Sequence, residues 1–263
     1  MFQGGWSGVA LAHNEAASNI HNGGAMASVL DQVTSLSLNS IYIAAFVVTA
    51  LVVTALALKP TNEVFKNFLF WPIVIVVSLA TITMTAATIY LNAVSYSKGP
   101  AHWHADFELW ACGQEHELVD PRGFSNKVGT SVLHEHNDKR IHLEGVVVSL
   151  SDASLGNFFR TIGGELSNDT ITLPTNEGVF HRHNGDRCDT QPGEVQVFAF
   201  KTDHGKIIQE KLSDPANFVY LPHSKVPPGN CIIVEFDTPK KQTDKLCRSY
   251  RVEIERGKAT YGL

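Results

Sequence analysis

The sequence predicts an α+β protein: two N-terminal transmembrane helices, then a mostly antiparallel, β-rich, β-grasp-like domain with one main helix. Three observations carry this. Two long uncharged apolar runs lie before residue 98, short period-two segments separated by turns fill the remainder, and one capped helical stripe interrupts the strands. Charge divides at the same place. Of the 21 basic and 26 acidic residues in this 263-residue chain, residues 1–99 hold only Lys59, Lys66 and Lys98 against Glu15, Asp31 and Glu63. Residues 100–263 therefore carry the whole formal charge of −5. Such a mildly acidic region lacks the basic stripe that nucleic acid requires, and it is long enough to bury a core.

Residues 1–24 are rich in Gly, Ala and Asn and contain no basic residue, so they lack the positive start of a secretory signal. From Met26, the apolar residues Val29, Leu30, Val33, Leu36 and Leu38 follow helical spacing and predict an amphipathic helix. Ile41 to Leu58 is uninterrupted by charge; at 1.5 Å per residue it reaches about 27 Å, close to a bilayer's hydrocarbon thickness. Phe68 to Val94 is a second such run, with Pro72 expected in its first turns and Trp71 and Tyr90 towards its ends. Lys59 and Lys66 in the connector make it cytoplasmic by the positive-inside rule. This divides the chain into an outer N-terminal segment (1–40), a two-helix membrane anchor (41–98) and an outer His-rich domain (99–263). The membrane is the expected partner, and nothing names a protein partner.

Beyond Gly99, strands are predicted at His102–Cys112, Glu115–Val119, Ser131–His136, Arg140–Leu150, Thr170–Leu173, Glu194–Lys201, Asn230–Phe236 and Leu246–Glu255, with Gly113-Gln114 turning the first into the second. Ser151 or Asp152 caps a helix whose stripe is Leu155, Phe158, Phe159 and Ile162, ended by Gly163-Gly164. The near-continuous apolar run CIIVEF, following the turn at 227–230, should be a central strand. Cys112, Cys188, Cys231 and Cys247 form no C-x-x-C pair, which excludes a dithiol redox motif or a zinc ribbon. Outside the cytoplasm, four cysteines are compatible with two disulfides in three connectivities; the alternative is buried free thiols.

Histidine pairs of the form H-x-H occur at His102/His104, His134/His136 and His181/His183. Residues i and i+2 of a strand point to one face, so each pair can present two imidazoles to one ion. Asp106 and Glu108 extend the first face, and His142 and Glu144 extend the second block. If Asn137-Asp138-Lys139 forms a three-residue turn, His134 lies opposite His142, His136 opposite Arg140, and Leu133 opposite Leu143. A two-residue turn would set His142 against Leu133 and mix the faces. Apolar matching favours the register that gathers the histidines. The candidate ligands are thus His102, His104, His134, His136 and His142. Asp106, Glu108 and Glu144 would orient them or add further ligands, and His181 and His183, in a Gly/Asn/Asp-rich loop, would either close the site or be merely exposed. Their donors suit a transition metal ion, zinc or copper foremost, with iron or nickel also accommodated.

The stretches HWHADFELWACG, VLHEHNDKRIHLEG and SLGNFFRTIGG together resemble a family of membrane-anchored prokaryotic proteins. Their outer domains carry H-x-H-A-D-F, a later H-x-H…I-H-x-E and a helix of the type T/S-L-G-x-F-F. The resemblance covers most of 100–260. Some members are labelled protein-disulfide isomerases, a label that gains nothing here because C-x-x-C is missing. His102, His104 and Glu108 also look like half of a cupin metal motif, without the second half. Three functions follow as expectations. The first is metal acquisition, delivery or sensing at a membrane. The second is a metal-dependent hydrolase or redox enzyme with Glu108 or Glu144 as base. The third is a disulfide-stapled structural or adhesive module.

Overall fold

The structure, a computed structural model, describes residues 7–220 and 229–261, excluding the side chains of residues 7–31 and 125. The chain separates into two compact units, Met1–Gly99 and Pro100–Leu263. In the first, α1 (Ser7–Leu58) and α2 (Glu63–Val94) are single helices. The amphipathic segment from Met26 and the apolar run from Ile41 are therefore one element. Pro60 disfavours helical geometry at the preceding Lys59, and α1 stops there. Asn62 starts α2 by accepting the Val64 N–H at 2.8 Å. Because α2 begins five residues before Phe68, Pro72 lies in its interior rather than its first turns, and it removes the bond that would reach the Phe68 carbonyl.

Gln32–Leu58 and Glu63–Val94 are long and apolar enough to cross a membrane. Phe46, Leu56, Phe70 and Ile82 point outward from them. The hydroxyls of Thr81, Thr83, Thr85 and Thr88 donate to carbonyls four residues back, leaving no hydroxyl hydrogen for an apolar surround to satisfy.

The second unit contains β1 (Pro100–Ala111), β2 (Gln114–His116), β3 (Val128–Gly129), β4 (Leu133–Glu135) and β5 (Arg140–Val146), then α3 (Leu155–Thr161). It continues with β6 (Glu165–Leu166), β7 (Thr170–Thr175), β8 (Gly178–His183), β9 (Arg187–Cys188), β10 (Gln191–Pro192), β11 (Glu194–Asp203) and β12 (Lys206–Lys211). It ends with β13 (Asn230–Asp237), α4 (Arg248–Glu255) and β14 (Thr260–Tyr261). The main sheet has the order β14-β12-β11-β13-β1-β5-β4-β3, with β2 also on β1; β6-β7-β8 form a second sheet and β9-β10 a ribbon. Most pairs are antiparallel, but β1 with β13 and β12 with β14 are parallel, so the sheet is mixed.

Period-two alternation gives this sheet two cores. Phe107 and Leu109 of β1, Leu143 of β5, and Ile232 and Val234 of β13 pack with Phe158 and Phe159 of α3. On the opposite face Cys231 and Ile233 of β13 join Phe198, Phe200, Leu246 and Tyr250, with Trp110 against them. β13 is buried on both sides, which is why it reads as a continuous apolar run.

Four expectations change here. The cap of α3 is Ser154, whose hydroxyl oxygen accepts the Asn157 N–H at 3.2 Å, because Ser151 and Asp152 lie within a preceding 3-10 turn. Leu246–Glu255 is not a strand: Leu246, Tyr250 and Ile254 recur every four residues, and Arg248–Glu255 coils so that Tyr250 donates to the Gly229 carbonyl at 2.9 Å. The helix count is accordingly two short helices, not one. The β1–β2 turn is Cys112-Gly113, with φ of 50° and 77°, the left-handed pair a two-residue hairpin needs, rather than Gly113-Gln114. The stretch read as a loop around His181 is strand β8, paired along β7. The cysteines form Cys112–Cys188 and Cys231–Cys247, the second tying the start of α4 to β13. Phe158, fully buried between β1 and α3, sets a test of the first core: Phe158→Ala should cost about 3–5 kcal/mol in denaturant unfolding. A loss under about 1 kcal/mol would contradict this packing.

Candidate metal centre

β1 and β5 align His102 with Glu144, His104 with His142, and Asp106 with Arg140. β4 and β5 align Leu133 with Leu143 and His134 with His142. This is the register that a three-residue Asn137-Asp138-Lys139 turn produces, and it sets His104, His142 and His134 in one row across three strands. Asn137 and Lys139 take left-handed φ values of 65° and 58° to close the turn. The buried Glu135 carboxylate secures it by accepting the N–H groups of Asp138 and Lys139 at 2.6 and 3.0 Å. Gly229 borders the row: it has φ +75°, and a Cβ there would strike the His104 carbonyl.

Two groups of donors result. One atom from each of His102, His104, His142 and Glu144 lies within 4.8 Å of the others, and so does one from each of His134, His136 and His142. His102 Nε2 is 2.8 Å from His104 Nε2 and 3.4 Å from Glu144 Oε1. Tetrahedral zinc with bonds of about 2.0–2.1 Å separates its donors by roughly 3.3 Å, so small side-chain adjustments suffice.

Hydrogen bonds decide which nitrogens are available. The Asn126 carbonyl can only accept, so its 2.6 Å contact places the proton of His136 on Nδ1 and leaves Nε2 as the lone pair. The Asp138 carboxylate does the same at His142 Nε2, at 3.0 Å, leaving Nδ1. That Nδ1 is buried without a hydrogen-bond partner among the described residues, as is Nδ1 of His134. An orphaned buried nitrogen costs about 1–3 kcal/mol, which a bound ion would offset. The Asp138–His142 pair is the carboxylate–histidine arrangement that orients metal ligands.

The electrostatics favour the neutral form of His104 and His134. Burial, then the neighbouring His142 and His102, push His104 down to about 4. Burial and His136 likewise lower His134, which is only 1% exposed. Neutral imidazole is the ligating form.

The other expected residues are engaged elsewhere. Asp106 binds Arg140 Nε at 2.6 Å and the Ser249 hydroxyl. Glu108 accepts from Trp110 Nε1 at 3.0 Å and pairs with Arg251 at 3.5 Å; burial raises its pKa, opposed by those two partners. On β8, His181 contacts the Thr172 hydroxyl at 2.9 Å, and His183 pairs with Asp169 at 3.5 Å. None of these four belongs to either donor group. Residues 227 and 228 of the turn expected before β13 fall outside the described residues. Asp138 and Asn126 escaped sequence reading because each acts through a fold-dependent contact, although Asp138 lay inside the predicted turn.

Comparison with protein-family models, curated proteins and solved structures finds no match to this chain.

The lowered His104 value has a sign. As pH falls below about 6.5 the unfolded chain takes up the proton first, so the metal-free fold loses stability from there down to about 4. In a proton NMR titration of the metal-free protein, the His104 ring signals should move near pH 4; a midpoint near 6.5 would contradict the burial argument.

Proposed function

We propose that this is a membrane-anchored protein whose outer domain binds a transition metal ion for acquisition, delivery or sensing. His102, His104, His142 and Glu144 are the ligands, and Asp138 orients His142. The observation that carries this is the convergence of three imidazoles and a carboxylate within 4.8 Å on adjacent strands. Zinc or copper suits that donor set best, and iron or nickel uses the same ligand types. The side chains of His102 and Glu144 are 63% and 43% exposed, so an ion there exchanges with solvent, as transport or sensing requires and a closed structural site does not.

The anchor is the pair of apolar helices. Two disulfides favour an oxidising compartment for the second unit, and Lys59 and Lys66 favour a cytoplasmic connector, which places both ends of the chain outside. We read the sheet, with β1 and β13 parallel at its centre, as β-grasp-like. The stretches that resemble the membrane-anchored family contain the proposed ligands and α3, and we propose membership of that family on that resemblance alone.

Full-length chain, purified in detergent and stripped of metal, should take up zinc stoichiometrically in elemental analysis. His142→Ala should weaken binding by about 100-fold or more, beyond the effect of losing an outer partner alone. Absence of stoichiometric metal, or unchanged affinity in His142→Ala, would overturn the reading.

A further inference from the structure

Resting on that reading, we infer that the bound ion has two mutually exclusive positions sharing His142: an open one with His102, His104 and Glu144, and a sheltered one with His134 and His136. Each group holds its donor atoms within 4.8 Å, and His142 belongs to both. Its Nε2–H is committed to Asp138 at 3.0 Å, so it has a single lone pair, on Nδ1, and can ligate one ion at a time. Two independent ions would require the proton shared with Asp138 to be lost.

The positions differ in access. The His102 and Glu144 side chains are 63% and 43% exposed, whereas the His134 side chain is 1% exposed and its Nδ1 has no hydrogen-bond partner among the described residues. Glu144 spans both: Oε1 lies 3.4 Å from His102 Nε2, and Oε2 lies 3.9 Å from His134 Nε2. An ion captured at the open position can therefore exchange His102 and His104 for His134 and His136 while His142 stays bound and Glu144 follows it. The exchange breaks two metal–imidazole bonds and forms two, with no net transfer of protons or electrons. His136 is prepared for it, because the Asn126 carbonyl holds the Nδ1 proton and leaves Nε2 free.

Cobalt(II) reports both ligation and number. The metal-stripped full-length chain in detergent should bind one Co2+ at saturation. His136→Ala and His134→Ala/His136→Ala should each retain one Co2+, with altered visible bands and release to EDTA faster by about tenfold. His102→Ala/His104→Ala should also retain one ion, loaded about tenfold more slowly. His136→Ala guards against failure of the double variant to fold, since His134 is in the packed interior. Two Co2+ per wild-type chain, or unchanged spectrum and release rate in His136→Ala, would overturn the two-position arrangement while leaving the metal-binding reading intact. No Co2+ in the wild type would overturn both.

Discussion

The alignment of β5 between β1 and β4 is the constraint on which everything at the candidate metal centre depends. Strand side chains alternate, so a slip of one residue would send His142 to the core and Leu143 to the surface. Three independent contacts hold the alignment. Leu133 and Leu143 meet in the core, Asp106 grips Arg140 across β1 and β5, and the buried Glu135 carboxylate binds the turn backbone. Asp106 and Glu135 thereby serve the site as fasteners of the strands that carry the ligands.

The same sheet face has two fates along β1. Towards its end, Trp110 is covered by the core under α4, which the Cys231–Cys247 bridge and the Tyr250 hydroxyl pin in place. Towards its beginning, His102 and His104 replace apolar residues, and this part of the face is dressed by imidazoles instead of a helix, while Asp106 between the two regions still meets Ser249 of α4. Packing imidazoles this closely lowers the proton affinity of His104 and His134, because burial and the neighbouring rings both disfavour their charged form.

Much of this was legible in the residues, for physical reasons that also explain the failures. Uncharged runs of bilayer length declare themselves without tertiary context, as α1 and α2 do. The hairpin register was readable because only one alignment matched Leu133 with Leu143. α3 announced itself through its stripe and its Gly163-Gly164 stop, and β13 through burial on both faces. α4 was missed because its charged, β-branched sequence alternates locally, and only Leu246, Tyr250 and Ile254, taken across a longer window, show the helical period. The cysteine pairing and the Asp138–His142 contact depend on how separate segments meet, which spacing along the chain does not encode. Asp106 and Glu108 looked like ligands because they continue the His102/His104 face; the cations that claim them, Arg140 and Arg251, come from other elements.

The chain thus joins a pair of apolar helices to a domain whose candidate metal donors are nitrogen and oxygen, all four cysteines being closed in disulfides. X-ray absorption at the zinc edge of the full-length chain, loaded with one equivalent of zinc, tests that ligation most directly. The predicted spectrum has a nitrogen/oxygen shell at about 2.0–2.1 Å with the outer-shell scattering of imidazole rings. A zinc–sulfur distance of about 2.3 Å, or a shell without imidazole scattering, would contradict it.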